Sequence, residues 1–401
     1  MECRLPSSPS SWLKGLITQS LSLGKWCLRS LAIGVLVVGC GGGSEAPDTA
    51  SGPEAGASGG ASAPSDPGAA SQGISAKTLA VVILSGNALS EAIGQAYAKA
   101  HGVPAENIVR IELPHDADLV SQADFERARA ALDRQLPRSV QATVLAFSKP
   151  SRVVGNCAVS ITSAMAMGYR ASLCGGCSKT EASPYFDSAS QRPNEDFGLR
   201  PSMMLWSQDL EGALALIERG RASRETATQG QGWLLRTPDA ARSVRWPDML
   251  AAQKAWSAWP GLTLNLLDLR ATPDQAWIEA QQQVVFYFTG RVTVPKLDTN
   301  QFLPGAVADH LTSFAGLLPD ANGQMPATAW LKAGATGSYG TVEEPCNYTE
   351  KFPSPQVLMK HYLRGETLIE AYWKSVKWPG QGLFLGDPLA SPWLQAQRRG
   401  S

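Results

Sequence analysis

The chain has 401 residues, 44% of them hydrophobic, and its 35 Lys and Arg balance 35 Asp and Glu. A formal net charge of zero, with no basic run interleaved with aromatics, argues against nucleic acid as a partner. The length would hold two average domains, but the first stretch does not have the composition of one.

That stretch opens with Lys14, Lys25 and Arg29, followed by the short apolar run from Leu31 to Val38, then Gly39 and Cys40. A positive region, a hydrophobic region too short to span a bilayer and a small residue before the cleavage point form an export signal, which predicts a signal peptide over 1–39. Val37-Val38-Gly39-Cys40 resembles the lipobox of bacterial lipoproteins, which implies lipidation of Cys40. Gly41 after that cysteine implies, by the same resemblance, the outer membrane. From Gly41 to about Ser75 the chain is almost wholly Gly, Ala, Ser, Pro, Asp and Glu, with no aromatic residue and no aliphatic larger than alanine before Ile74. It cannot bury enough apolar surface to offset its ordering entropy, so 40–76 is predicted to be a lipidated cysteine and a disordered stalk.

A single α/β domain is predicted over 77–395, with a short tail over 396–401. Leu79 to Leu84 is a continuous apolar run of strand length, as expected of a strand buried on both faces. Ser90 then reads as an N-cap, with Ile93, Ala96, Tyr97 and Ala100 at helical spacing and Gly102 and Pro104 as the stop. Ile108 to Leu113 is a second strand, Ser121 with Asp124 opens a second helix, and Val140 to Phe147 is a third strand. This alternation predicts a mostly parallel sheet with covering helices. The segment 148–232 reads as a less regular, disulfide-braced central excursion holding one helix from Leu210 to Arg219. The rhythm then resumes: strands over 233–236, 262–267, 284–288 and 335–342, helices over 238–259, 273–280 and 355–375, and a last short strand over 382–385.

Three places could carry chemistry. His310, one of four histidines, stands beside Asp309 with Thr312 and Ser313 close behind, after an apolar run where α/β proteins often place acid/base groups. The same pattern also fits a structural hydrogen-bonding histidine. Glu343 and Glu344 follow a glycine-rich strand and could bind a substrate or cation, or could belong to a crossover pinned through Cys346. Gly386-Asp387-Pro388 makes sense as turn chemistry, while Asp387 at a strand end could also be a site residue. No GxxxxGK[ST], HExxH or dinucleotide fingerprint is present, so no cofactor or metal is expected.

Seven cysteines are present. With Cys3 and Cys27 in the leader and Cys40 lipidated, Cys157, Cys174, Cys177 and Cys346 remain, an even number that suggests two disulfides in one of three connectivities. Cys174-Gly-Gly-Cys177 could alternatively be a redox pair or a zinc half-site, but no second ligand pair at zinc spacing exists. As a nucleophile, Cys346 is poorly served, since two neighbouring carboxylates would raise its pKa.

The runs GAVADHLTSFAG, WLKAGATGSYGTVEEPC, YLRGETLIEAYWKSV and LFLGDPLASPW, with the N-terminal LSEAIGQAYAKAHGVPAENIVRIEL and the central SITSAMAMGY, resemble an uncharacterised family of exported bacterial proteins from exosortase-bearing species. The resemblance covers about Lys77 to Trp393 and implies no established activity. More distantly, the order of elements is similar to the gingipain-type cysteine peptidases, which implies a caspase-like fold. Those peptidases place His-Gly after one strand and Cys after the next. Here Phe288 is followed by Thr289-Gly290-Arg291, and the later strand ends in Asp309-His310-Leu311-Thr312-Ser313. The expectation is a lipid-anchored envelope protein that binds or assembles in surface-protein or polysaccharide export, with an envelope protein or polysaccharide as partner. The rival expectation is an envelope hydrolase or transferase around His310, with Cys346 or Ser313 as nucleophile and Asp309 orienting the imidazole.

Overall fold

The computed structural model describes residues 73–394 except 115 and 226–228, so the signal peptide, Cys40, nearly all of the stalk and the tail lie outside the described residues. In the first part of the chain β1 (Leu79–Leu84) is followed by α1 (Ala88–His101), β2 (Ile108–Ile111), β3 (Leu119–Ser121), α2 (Gln122–Gln135), β4 (Ala142–Leu145), β5 (Arg152–Val154), β6 (Ala158–Ser160), α3 (Ile161–Met167), α4 (Pro193–Phe197), β7 (Ser202–Met204) and α5 (Leu210–Ala222). There follow β8 (Gly230–Arg236), α6 (Trp246–Trp256), β9 (Leu262–Asp268), β10 (Val284–Gly290), β11 (Phe302–Leu311), α7 (Thr328–Lys332), β12 (Gly337–Thr341), α8 (Pro355–Leu363), α9 (Leu368–Ser375) and β13 (Gly382–Gly386).

Local chemistry sets most of these boundaries. Every residue of β1 is buried, as its unbroken apolar run requires. Asn87, not Ser90, caps α1 by accepting from the Ser90 amide, while the Ser90 hydroxyl accepts from Leu84 N at 2.9 Å and fastens the helix to the end of β1. Gly102 closes α1 at φ 70, and Ser121 caps α2 through the Asp124 amide. Two expected helices are shorter than the sequence suggests. Residues 238–245 form a loop before α6, and the expected helix over 273–280 is only a 3-10 turn at Pro273–Gln275. Ala276 and Ile278 are buried there and Ala280 sits at φ 53, so packing overrides helical propensity.

Ten strands form one sheet in the order β2-β1-β4-β7-β13-β12-β11-β10-β8-β9, and β3, β5 and β6 form a small second sheet. In the large sheet all neighbours pair parallel except β12 with β13. The sheet is therefore two parallel halves running in opposite directions and joined at one antiparallel seam. From the outer edge inward, each half places its strands, numbered in chain order, as second, first, third, fourth, fifth. The fifth strand of the first half is β13, which arrives only after the second half has been laid down.

The predicted mostly parallel α/β sheet is thus present, but the central excursion needs correcting. Within 148–232 lie β7, which sits between β4 and β13 in the sheet, and the start of β8. Three buried residues make β7 too short for periodicity to reveal, although Leu199 to Leu205 is buried almost throughout. The disulfides are Cys157–Cys174 and Cys177–Cys346. The second joins the segment after α3 to the turn after β12, across the seam.

Candidate functional site

His310 lies near the end of β11, where the pleat turns it and Asp309 to opposite faces. Its ring is buried, accepts from the Trp330 indole N–H at Nδ1 (2.9 Å) and donates from Nε2 to the Met325 carbonyl (3.0 Å). Burial, reinforced by the charges of Arg245 and Arg242 and opposed by the Met325 bond, pushes the imidazole down to about 3. It is a neutral ring with both nitrogens committed. Asp309 instead meets Arg245 at 2.6 Å in a buried ion pair, and burial raises its carboxyl against the pull of that guanidinium. Ser313 is half-buried, and its carbonyl accepts from Thr341 Oγ1 at 2.8 Å. The Cys346 sulfur is bonded to Cys177. His310 hydrogen-bonds to none of Asp309, Ser313 and Cys346, so the expected constellation is not assembled.

There is no room for a Cβ on Gly290 at the end of β10, because the Arg242 carbonyl lies against it. Arg242 also reaches Thr312 Oγ1 (3.0 Å) and Asp239 (2.8 Å), so the loop before α6 closes over this strand end.

The carboxylate candidates are anchored too. The Glu344 carboxylate accepts from Cys346 N at 2.9 Å, and the Gln381 amide donates to the Glu343 and Glu344 carbonyls. Burial raises the Glu343 carboxyl and pushes the neighbouring Lys351 ammonium down to about 8, with Lys351 Nζ held on the Gly176 carbonyl. Asp387 is fully buried and accepts from Tyr97 OH (3.1 Å) and Leu389 N (3.0 Å), with His101 Nε2 at 2.8 Å. It fixes the turn after β13 beneath α1. Among the described residues no group of three or more His, Cys, Asp or Glu could hold a metal ion.

A cavity lies at the end of the first half. In parallel sheets ligands bind beyond the carboxyl ends of the strands where the strand order reverses, here between β1 and β4. A cleft of about 410 Å³ lies there. Asn87, Leu89, Ser90 and Ile93 come to it from the start of α1, Phe147, Ser148, Lys149 and Ser151 from beyond β4, and Trp206, Ser207 and Gln208 from beyond β7. Asp118 and the Leu318-Pro319 step complete it. Ser148 Oγ donates to the Ser207 carbonyl (2.5 Å) and accepts from its amide (3.0 Å), which ties the two strand ends together. Lys149 Nζ stands 2.8 Å from Asp118. A second cavity of about 330 Å³ adjoins it, sharing Trp206, Ser207 and Gln208 and extending along the start of α5 to Lys332. The reversal point of the second half, between β8 and β10, has its own cavity of about 400 Å³ lined by Thr237, Asp239, Arg291 and Thr293 among others.

None of the site candidates named from the sequence lines the first cleft. The signal that could have found it was topological: Phe147-Ser-Lys-Pro-Ser151 ends the third strand of the first strand-helix alternation, next to the reversal. Compared with family models, curated proteins and solved structures, the chain matches none.

Proposed function

We propose that this chain is a lipid-anchored protein of the bacterial cell envelope, carried on a flexible stalk, that acts by binding an envelope protein or polysaccharide in surface-protein or polysaccharide export. The observation that carries the binding role is the cleft at the reversal between β1 and β4, which is built from three strand ends and, among the described residues, holds no base hydrogen-bonded to a nucleophile. The two disulfides support an oxidising compartment, and Val37-Val38-Gly39-Cys40 supports the anchor. Among the described residues no helix is long and apolar enough to cross a membrane. The likeness to the exosortase-associated family rests on the sequence runs given above, and the caspase-like arrangement on the order of elements. The rival reading, a hydrolase or transferase around His310, gains nothing from a ring whose two nitrogens are occupied.

Two measurements in expressing cells test the proposal. Cys40→Ser should abolish labelling by a palmitate analogue and shift the protein to the soluble fraction. A photo-crosslinking residue at exposed Gln208, on the cleft, should capture an envelope component that the same residue at exposed Glu126 on α2 does not. Unchanged membrane retention of Cys40→Ser would sink the anchor, and equal capture from both positions would sink the binding role.

A further inference from the structure

We infer that the cleft between β1 and β4 takes an uncharged saccharide chain, which crosses Trp206 from the first cavity into the second. The inference rests on the binding role proposed above and specifies its ligand.

Charge comes first. Among the described lining residues Lys149 of the first cavity is matched by Asp118 at 2.8 Å, and the second cavity sets Arg219 and Lys332 against Asp209 and Glu211, so neither cavity carries a net formal charge to select an anionic or a cationic ligand. At the start of α1 the Ser90 amide is already engaged by Asn87 and offers no free donor to a ligand. A peptide cannot be added there as a strand of the large sheet, because the strands of that sheet that end at the cleft are all interior to it.

What remains is an apolar wall beside groups that can both donate and accept. Phe147, Ile93 and half-buried Leu89 and Trp206 give apolar surface. Among the described residues the Gln208 amide, the Asn87 side-chain nitrogen and the Ser207 hydroxyl hydrogen are engaged in no hydrogen bond. A sugar ring presents that combination in reverse, with a C–H face for an aromatic and hydroxyls that donate and accept. Each cavity, at about 410 and 330 Å³, falls in the range of roughly 300–1,000 Å³ usual for small-ligand sites. Trp206 lines both, and Lys332 lies 5.5 Å from its ring centre, which fixes the indole as the sill between them.

The test uses the full chain labelled with fluorotryptophan, with the Trp206 resonance assigned by its loss in Trp206→Phe. The probes are cellohexaose, chitohexaose and isomaltohexaose as neutral chains, hexagalacturonate as an anionic chain, and a pool of end-blocked hexapeptides. At least one neutral chain should move the Trp206 signal with an affinity that does not change from low to high salt. Read by isothermal titration calorimetry, Trp206→Ala should weaken that binding by about tenfold or more, and Trp206→Phe should retain most of it. Circular dichroism of both variants guards against misfolding. Binding of hexagalacturonate alone, or of peptides alone, overturns the saccharide inference and leaves the binding role standing. So does neutral binding that is indifferent to Trp206→Ala. If no probe moves Trp206 and crosslinking from Gln208 captures nothing, both fall together.

Discussion

At the scale of single residues, His310 shows how the fold spends a histidine on structure. The ring is held neutral, whereas in the unfolded chain it would titrate near its ordinary value of 6.5. As pH falls below that value the unfolded chain takes up a proton that the native ring refuses. The contribution of His310 is therefore fully present above pH 6.5 and is lost at about 1.4 kcal/mol per pH unit on the way down toward about pH 3. His310→Gln should be less stable than wild type at pH 8, and the gap should close at that rate as the pH drops below 6.5, read from urea unfolding curves. Gaps of equal size at pH 8 and pH 5 would refute this account. Part of it was legible in advance: His310 follows Asp309 on a strand, and adjacent strand residues face opposite ways, so the pair could not act as one unit. The partners Trp330 and Met325 were not legible, since they come from the segment after β11 and sequence spacing carries no information on which side chain folds back.

At the scale of elements, the two disulfides do different amounts of bracing. Cys157–Cys174 closes 17 residues and Cys177–Cys346 closes 169, which the chain-entropy treatment values at about 3 and about 5 kcal/mol. Replacing Cys177 and Cys346 together by serine should lower the unfolding free energy more than replacing Cys157 and Cys174 together, measured in guanidinium. The reverse ranking would show that the long bridge does not restrict the unfolded chain as its loop length implies. That all four cysteines pair was readable from their even number, while which sulfur meets which depends on how the segment after α3 lies beside the turn after β12. Elements with strong local signals, β1, α2, β9 and β13, stand close to where their patterns put them. The stretch over 273–280 carried helix-forming residues yet was shaped by the burial of Ala276 and Ile278, and β7 was too short to leave a pattern.

At the scale of the whole molecule, the organising fact is the repetition of one strand order in two opposed halves. It left no repeat in the sequence, because strand order is set by the crossovers and not by matching residues, and because the fifth strand of the first half is displaced to the end of the fold. The dependence can be measured. Removing residues 377–401 leaves every other strand of the first half intact but strips β13 from between β7 and β12, which exposes two unpaired edges in the middle of the sheet. The truncated chain should aggregate or elute as oligomers on size exclusion. A soluble monomer with a native circular dichroism spectrum would show that the first half closes without its last strand.

The late arrival of β13 also bears on the order of events during synthesis. A ribosome that has delivered β1, β2, β4 and β7 has not delivered the strand that completes their sheet, and must translate the entire second half before doing so. Pairings this distant in sequence are slow to form. The nascent chain therefore stays open for most of its time on the ribosome. For a chain threaded through a secretion channel before folding, as the export proposed above requires, that delay is an advantage: the fold is locked only by a strand that passes after the whole second half.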